Sequence, residues 1–317
     1  MTEVLVRTEH VSRRFGAVVA VDDVTLDVHA GEVVGVLGPN GAGKSTLFAM
    51  LTGLRRPTSG RVELFGGDPT DARNRRGLGV TPQESGTPPT LRVREVVTFV
   101  AKHYPDPAPV DEILDRFDLG ALARRQTGGL SGGQQRRLAV ALAFVGRPRL
   151  VILDDPTTGL DVESRHGVWE SIMASHEAGM TVLMSSHYLE EVERLAQRVV
   201  VLGAGRVIAD DTVAAVQQMV DLKRIDLDTP TAPPLELVSR HERNGAHWTL
   251  WALDSDAFVR DLVRAETPYA DLRVRSASLE DAFLSLTRDD VAARDEAARP
   301  NLPPARAGAP TMDEVPV

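Results

Sequence analysis

The chain has 317 residues, of which 42% are hydrophobic, and it carries a formal net charge of −9 and no cysteine. This composition excludes disulfides and thiolate metal sites, and it argues against a general nucleic-acid binder, which needs a basic face. No apolar run approaches the ~20 residues that span a bilayer, and no signal peptide is visible. We therefore expect a soluble cytoplasmic protein with one large domain and a small addition, or with two domains.

Two segments near the N-terminus, 4–11 and 18–28, alternate apolar and polar residues and predict half-buried strands. Phe15 lies between them. A lone phenylalanine is most often a core residue. A flat aromatic ring at this place could instead stack on a nucleotide base, and the residue's position alone leaves both interpretations open.

The next stretch fits the phosphate-binding pattern G-x-x-x-x-G-K-[ST]. A predicted strand (33–37) precedes it and a predicted helix (47–51) follows it, which is the context that the motif needs. Glycines let backbone N–H groups turn toward phosphate oxygens, and the helix N-terminus adds its positive dipole end. Lys44 would reach the β- and γ-phosphates, and the Ser45 hydroxyl would hold Mg²⁺. The motif comprises Gly38, Pro39, Asn40, Gly41, Ala42, Gly43, Lys44, Ser45 and Thr46.

Gln83 ends a short predicted strand and opens a loop rich in Pro, Gly, Ser and Thr, which by itself is typical of an ordinary surface loop. Predicted helices follow over 93–103 and 110–117. A second glycine-containing turn then leads into a helix, so the chain has a second candidate anion site, although this turn could equally be a plain helix cap. The turn comprises Leu130, Ser131, Gly132, Gly133 and Gln134.

A continuous apolar run over 150–153 predicts a strand buried on both faces, and it ends in Asp154 and Asp155. Carboxylates at the carboxyl end of a buried strand do not serve the core, and this edge of an open α/β sheet is where ligands bind. Asp154 is placed to hold Mg²⁺, and Asp155 to orient or deprotonate an attacking water. A further predicted strand (181–185) leads to His187. A lone histidine is usually structural, but one beside a phosphate site suits contact with the γ-phosphate.

These motifs, taken together and in the order in which they occur along the chain, resemble those of the nucleotide-binding domain of the ABC transporter superfamily. The resemblance covers about residues 3–220. Phe15 takes the place of the family's base-stacking aromatic residue. The matching motifs are Walker A (38–46), the Q-loop glutamine (Gln83), the signature motif (130–134), Walker B (150–154), the D-loop (Gly159, Leu160, Asp161) and the switch histidine (His187).

The resemblance implies an α/β fold with a P-loop NTPase core of ABC ATPase type, an antiparallel β subdomain and a helical subdomain. It also implies a head-to-tail homodimer or heterodimer that holds two ATP molecules. Each ATP would lie between Walker A of one subunit and Ser131, Gly132, Gly133 and Gln134 of the other, and Asp161 is counted with these nucleotide-binding residues.

By the same resemblance, Asp155, His187 and Gln83 are the candidate catalytic residues, and Ser45, Gln83 and Asp154 are the candidate Mg²⁺ ligands. The implied partner is an integral-membrane permease, contacted through the loop after Gln83 at the inner face of the cell membrane. No nucleic-acid partner is expected.

Asp155 departs from the family pattern, which usually has glutamate directly after the Walker B aspartate. The aspartate side chain is shorter by one methylene, so its carboxylate lies on the order of 1 Å further back, and a displacement of that size can cost ~10²-fold in rate. Either the dimer hydrolyses ATP slowly, or this subunit supplies the weak site of a heterodimer. A binding switch that hydrolyses ATP poorly is a further alternative. A single cassette without cysteines or sustained heptads disfavours a non-transport ABC ATPase acting on ribosomes or DNA.

From residue 221 the pattern changes to short strands (222–228, 247–253 and 272–275) and helices (256–265 and 279–286), which predicts a small α+β domain over 221–287. Ser278 to Asp281 is predicted to form a capping box. The segment 278–287 resembles the end of drug-exporter ATPases of the daunorubicin-resistance type, which implies export of a drug or lipid-like compound. Residues 288–317 have little apolar patterning and predict a disordered tail.

Overall fold

The computed structural model describes residues 2–81, 86–220 and 222–298, and these residues form three sheets with flanking helices. The strands are β1 (Val4–Phe15), β2 (Val18–His29), β3 (Val33–Leu37), β4 (Ser59–Leu64), β5 (Leu78–Thr81), β6 (Leu150–Asp154), β7 (Thr181–Ser185), β8 (Arg198–Gly203), β9 (Arg206–Thr212), β10 (Lys223–Asp228), β11 (Val238–Asn244), β12 (His247–Ala252) and β13 (Ala270–Ser276). The helices are α1 (Lys44–Leu51), α2 (Val93–Ala101), α3 (Val110–Arg116), α4 (Gly132–Phe144), α5 (Val162–Glu177), α6 (Leu189–Leu195), α7 (Val213–Met219), α8 (Ser255–Arg264) and α9 (Leu279–Ala298).

The central sheet has the strand order β5-β6-β7-β3-β8-β9. Its strands run parallel except β9, which pairs antiparallel with β8. Every residue of β3, β6 and β7 is buried, as expected for strands covered on both faces. Because the carboxyl ends of parallel strands meet at one edge, the segments that follow β3, β6 and β7 come together there.

The first core layer lies between the central sheet and an antiparallel sheet of order β2-β1-β4. Apolar residues from β1, β2, β3 and α1 share one buried cluster. The alternation in the first two segments therefore predicted their half-buried strands correctly. Both strands run slightly further than predicted, to Phe15 and His29.

The second core layer covers the opposite face of the central sheet. Residues of α2, α3, α4, α5 and α6 form one buried cluster with side chains from the sheet. Within it, the rings of Phe117 and Phe144 lie 5.0 Å apart, centroid to centroid, and join the end of α3 to α4. The segment from α2 to α4 is the helical part of the ABC-type fold that the resemblance implied.

The C-terminal part contains an antiparallel sheet of order β11-β12-β10-β13 with α8 packed against it. The predicted capping box is present: the Ser278 backbone N–H donates to Asp281 Oδ2 at 2.9 Å, and the Asp281 N–H donates to Ser278 Oγ at 3.2 Å. β11 and α7 were not predicted from the sequence. β11 is mostly exposed and has no clear alternation, so only its pairing with β12 defines it as a strand.

The prediction of a disordered tail from Arg288 was wrong in its first part, because α9 continues to Ala298. Arg294 pairs with Asp290 one turn earlier at 3.1 Å, and it donates a hydrogen bond to the Gly203 carbonyl at 2.8 Å. These contacts anchor the helix against the turn between β8 and β9, and local composition does not reveal them. Residues beyond 298 lie outside the described part of the chain. No helix among the described residues is both long and apolar enough to cross a bilayer.

Candidate functional site

The phosphate-binding loop connects β3 to α1 with the geometry that its glycines permit. Gly41 and Gly43 have φ values of +83° and +101°, a region that favours glycine. A Cβ on Gly43 would also lie 2.2 Å from the Ala20 carbonyl oxygen. Ala42 is buried, whereas Asn40 and Ser45 are exposed. The loop is therefore held tightly on its inner side while its polar groups remain accessible.

Lys44 is the first residue of α1, and its side chain folds back across the loop. Its Nζ donates hydrogen bonds to the carbonyl oxygens of Gly38 at 2.6 Å and Pro39 at 3.2 Å. Burial lowers the pKa of Lys44, and the nearby carboxylates of Asp155 and Asp154 act in the opposite direction. The structure thus brings the loop lysine and both strand-end carboxylates to one edge of the sheet.

Asp154 and Asp155 are connected through the hydroxyl of Ser185, which is paired with Asp154 in the neighbouring strand. Ser185 Oγ donates to Asp154 Oδ1 at 2.6 Å and accepts from the Asp155 backbone N–H at 3.0 Å. Asp154 is buried, with 7% of its surface exposed. Ser185 was not predicted as a site residue, and its position at the end of β7, facing the end of β6, is the signal that could have identified it.

Asp155 has an unusual backbone conformation that its neighbours maintain. Its φ is +50°, a value that aspartate tolerates better than most residues. Arg136 Nη2 donates to the Asp155 carbonyl at 2.9 Å and also to the Asp154 carbonyl, and its Nε donates to the Pro156 carbonyl at 3.2 Å. Burial lowers the pKa of Arg136, against the effect of the nearby carboxylates. Arg136 was not predicted as a site residue, although its spacing of four from buried Val140 on α4 places it on the inner face of the helix.

His187 follows β7 and contacts the proposed base directly. Its Nδ1 lies 3.2 Å from Asp155 Oδ1. The histidine side chain is 46% exposed and the aspartate side chain 17% exposed, so the pair lies at the surface of the site rather than in the core. The predicted contact of His187 with the γ-phosphate stays a prediction.

The signature segment begins α4 with a reciprocal cap. Ser131 Oγ accepts from the Gln134 N–H at 3.2 Å, and the Ser131 N–H donates to Gln134 Oε1 at 3.0 Å. A Cβ on Gly133 would lie 3.4 Å from the Gly159 carbonyl oxygen, so this turn contacts the turn after β6. Among the described residues, no hydrogen bond or ion pair joins residues 131–134 to the phosphate-binding loop of the same chain.

Asp161 caps the N-terminus of α5. Its Oδ1 accepts from the Ser164 backbone N–H at 2.7 Å, and hydrogen bonding from Ser164 lowers the pKa of this exposed carboxyl. Leu160, just before it, is buried. The cap accounts structurally for Asp161 within one chain, and its predicted place among nucleotide-binding residues stays a prediction.

Gln83, predicted as a catalytic residue and Mg²⁺ ligand, lies outside the described residues, as does the beginning of the loop that it opens. The structure therefore brings Lys44, Asp154, Asp155 and His187 together at one sheet edge. Gly133 of the signature turn lies against Gly159 and Leu160, just before Asp161, and the predicted role of the signature residues toward the nucleotide of a partner subunit stays a prediction.

Phe15 ends β1 with an accessible ring, 39% exposed. The guanidinium groups of Arg13 and Arg55 lie 4.7 Å and 5.2 Å from its centroid. This exposure disfavours the core interpretation of the residue. An exposed aromatic ring with two guanidinium groups nearby suits stacking with a nucleotide base.

Replacing Phe15 by alanine is expected to weaken ATP binding about tenfold, because stacking of a base on an aromatic ring contributes about 1–3 kcal/mol. Titration with a fluorescent ATP analogue measures the dissociation constant. Phe99→Ala is the matched control, since Phe99 is also exposed, at 60%, but lies on α2. Equal affinity of the Phe15→Ala and Phe99→Ala proteins would contradict the stacking role.

The sequence of this chain is similar to that of known ABC transporter proteins. The family model described as "ABC transporter" matches residues 21–158. A "Nod factor export ATP-binding protein I" of Paraburkholderia xenovorans is 35% identical over 302 residues, covering 90% of this chain and 98% of the relative. A "Daunorubicin resistance ATP-binding protein" of Streptomyces coeruleorubidus is 34% identical over 318 residues, covering 92% of this chain and 98% of the relative.

Solved structures match the cassette part of the fold. An ATP-binding subunit of an ABC transporter superposes with a TM-score of 0.63 at 28% identity, covering 68% of this chain and 92% of that one. A dimeric ATP-binding cassette in a post-hydrolysis state, bound to ADP and Pi, superposes with a TM-score of 0.60 at 25% identity, covering 65% of this chain and 98% of that one.

Proposed function

Because this chain belongs to the ABC transporter family and is an ABC-type ATPase subunit of exporter type, we propose that it drives a separate membrane permease at the cytoplasmic face of the membrane. The proposed cargo is a drug or lipid-like compound. Two relatives named for Nod factor export and daunorubicin resistance support this choice, since each is matched over nine-tenths of the chain. Their similarity extends beyond the cassette into the C-terminal part.

One observation carries the hydrolytic part of the proposal: Asp155 Oδ1 lies 3.2 Å from His187 Nδ1, and the same carboxylate is near enough to Lys44 of the phosphate-binding loop to act on its charge. A general base must lie within hydrogen-bond reach of the proton that it removes. Asp155 is proposed to take a proton from the attacking water. His187 would hold the γ-phosphate, and Lys44 would stabilise the charge that develops on the β- and γ-phosphates.

The donor set also fits Mg²⁺, which prefers oxygen ligands and retains several waters. The Asp154 carboxylate and the Ser45 hydroxyl are proposed as its protein ligands, with Gln83 as a third. Among the described residues, no cluster of three or more His, Cys, Asp or Glu could hold a metal, so phosphate and water oxygens would complete the shell. When bound, Mg²⁺ neutralises negative charge on the phosphates.

The signature turn is proposed to act on the partner's nucleotide. Ser131 and Gly132 are exposed at the start of α4, where backbone N–H groups and the helix dipole favour an anion. Gly133 and Gln134 complete this turn. A head-to-tail dimer would place it over the partner's Walker A loop, so that ATP joins the subunits and hydrolysis releases them. The solved dimeric cassette with ADP and Pi supports a dimer of this kind.

Asp155 favours a second candidate function, an ATP-dependent switch or the weak site of a heterodimer. The aspartate carboxylate lies closer to the backbone than a glutamate carboxylate would. The Asp155 carbonyl accepts a hydrogen bond from Arg136 and the Asp155 N–H donates one to Ser185, and both bonds limit how far the carboxylate can shift toward a water. We propose slow hydrolysis by a homodimer, and the two alternatives predict different behaviour of variants at this position.

Affinity purification from solubilised membranes of the native host tests the coupling to a permease. We expect the tagged chain to recover an integral-membrane protein in stoichiometric amount. Deletion of the chain should lower efflux of a hydrophobic drug, and the natural chain should restore it whereas Asp155→Asn should not. Recovery of the chain with ribosomes or DNA, and without a membrane protein, would overturn the transport proposal.

A further inference from the structure

Glu191 is a buried carboxylate that the proposed chemistry does not use. It lies in α6 with none of its surface exposed. Three side chains donate hydrogen bonds to its carboxylate. Thr157 Oγ1, at 3.0 Å, and Ser186 Oγ both donate to Oε2. Trp169 Nε1 donates to Oε1 at 2.8 Å. Both carboxylate oxygens are therefore engaged, and all three partners are donors.

The three donors belong to the segments that carry the candidate catalytic residues. Thr157 lies in the turn between Asp155 and Asp161, and Ser186 directly precedes His187. Trp169 is on α5, the helix that begins at the end of this turn. The Glu191 carboxylate thus connects three parts of the chain: the segment after β6, the segment after β7, and α5.

The contacts continue from Ser186 to the histidine itself. Ser186 Oγ accepts a hydrogen bond from the Tyr188 backbone N–H at 3.0 Å. The Tyr188 ring lies 4.0 Å from the His187 ring, centroid to centroid, and the Arg165 guanidinium lies 3.9 Å from the Tyr188 centroid. The two residues that flank His187, Ser186 and Tyr188, are therefore held by hydrogen bonds through the Ser186 hydroxyl, which is itself bonded to Glu191.

Stability alone does not explain a carboxylate at this place. Burial raises the pKa of Glu191, against the opposing effect of its three hydrogen-bond donors and of Arg165. Removing a carboxylate from water costs several kcal/mol, and apolar side chains of similar volume are often as stable or more stable at buried ionic positions. What an apolar residue cannot do is accept hydrogen bonds from both segments at once.

We propose that Glu191 is a positioning residue for ATP hydrolysis, which holds the Thr157 segment and the Ser186 segment together and so sets the contact between Asp155 and His187. The proposal rests on the proposed roles of those two residues. Glu191 touches neither of them and acts through the backbone that it fixes. A change at Glu191 should therefore alter the rate of the chemical step and leave nucleotide binding, which depends on the loop after β3 and on Phe15, nearly unchanged.

Glu191→Gln and Glu191→Met test this inference in the full-length protein. We expect kcat to fall about tenfold or more in both, because a displacement of about 1 Å at a catalytic group costs up to ~10²-fold. KM for ATP and the dissociation constant of a fluorescent ATP analogue should stay within about twofold of the natural values. Thermal unfolding confirms that each variant is folded, and Gln, which keeps the size and one acceptor, carries the test if Met does not fold.

Ser171→Ala is the matched control, since it removes a buried hydroxyl of α5 that bonds only to the Arg116 and Gly167 carbonyls. An unchanged kcat in both Glu191 variants, or a loss of nucleotide binding in proportion to kcat, would overturn the positioning role. If the natural protein proves inactive, the proposed hydrolysis by Asp155 fails instead, and the same comparison is made in the Asp155→Glu background.

Discussion

Lys44→Ala is expected to abolish measurable ATP hydrolysis. The value of kcat/KM should fall by about 10²–10³-fold, because that is the typical cost of removing one preorganised donor from a charged transition state. Lys44 is the cation at the start of α1, and its ammonium lies within 2.6 Å of the Gly38 carbonyl oxygen at the loop. Partial burial lowers its pKa and strengthens its interaction with phosphate charge. Steady-state phosphate release measures the loss.

The chain supplies its own control for this substitution. Lys102→Ala removes a lysine that is exposed just after α2, far along the chain from the loop, and it should leave kcat/KM unchanged. Lys44→Arg retains the charge but has a planar, bulkier head, so it should restore little activity. Hydrolysis by Lys44→Ala at the rate of Lys102→Ala would exclude the loop as the catalytic phosphate site.

Asp155→Asn is expected to reduce kcat by about 10²-fold or more, since a general base contributes about 10²–10⁴-fold. Asparagine has nearly the same shape and also tolerates the φ of +50° at this position, so folding and ATP binding should persist. Without hydrolysis the ATP-bound dimer should accumulate, which size-exclusion chromatography with light scattering detects. Asp271→Asn is the matched control, because Asp271 in β13 has nearly the same backbone conformation, with a φ of +49°. This variant loses a carboxylate outside the site.

Asp155→Glu distinguishes the proposed function from its alternatives. We expect the natural protein to hydrolyse slowly and the glutamate variant to be about tenfold faster, because the longer side chain moves the carboxylate outward by about 1 Å. An inactive natural protein that glutamate activates would instead indicate a switch or the weak half of a heterodimer. Full activity of Asp155→Asn would show that another group takes the proton.

The parts of the site that depend on short segments could be predicted from the sequence. The loop from Gly38 to Thr46 needs only local glycine conformations and a following helix, and β6 and β7 are apolar runs whose bounds nearly match the prediction. The cap at Ser278 was also visible, because the side chain and its partner lie within one turn. Local geometry determines each of these features.

Other features depend on residues that are distant in the chain. The contact between Asp155 and His187 requires β6 and β7 to pair side by side in the sheet, and it joins residues that are 32 positions apart in the chain. The roles of Arg136 and Glu191 are hidden for the same reason, because both are charged residues in helices whose partners lie on other elements. A charged residue in a helix most often faces solvent, so its type alone predicts the opposite of what is observed.

The last helix likewise depends on a contact between residues that are distant in the chain. Composition predicted disorder from Arg288, yet α9 continues to Ala298, where Arg294 bonds to the Gly203 carbonyl from the turn between β8 and β9. By itself the sequence determined the phosphate-binding loop, the strand-end carboxylates and the family, because these are local patterns. Only the tertiary structure decided which carboxylate meets the histidine, which buried charges hold them and where the last helix ends, because those contacts join segments that local patterns cannot relate.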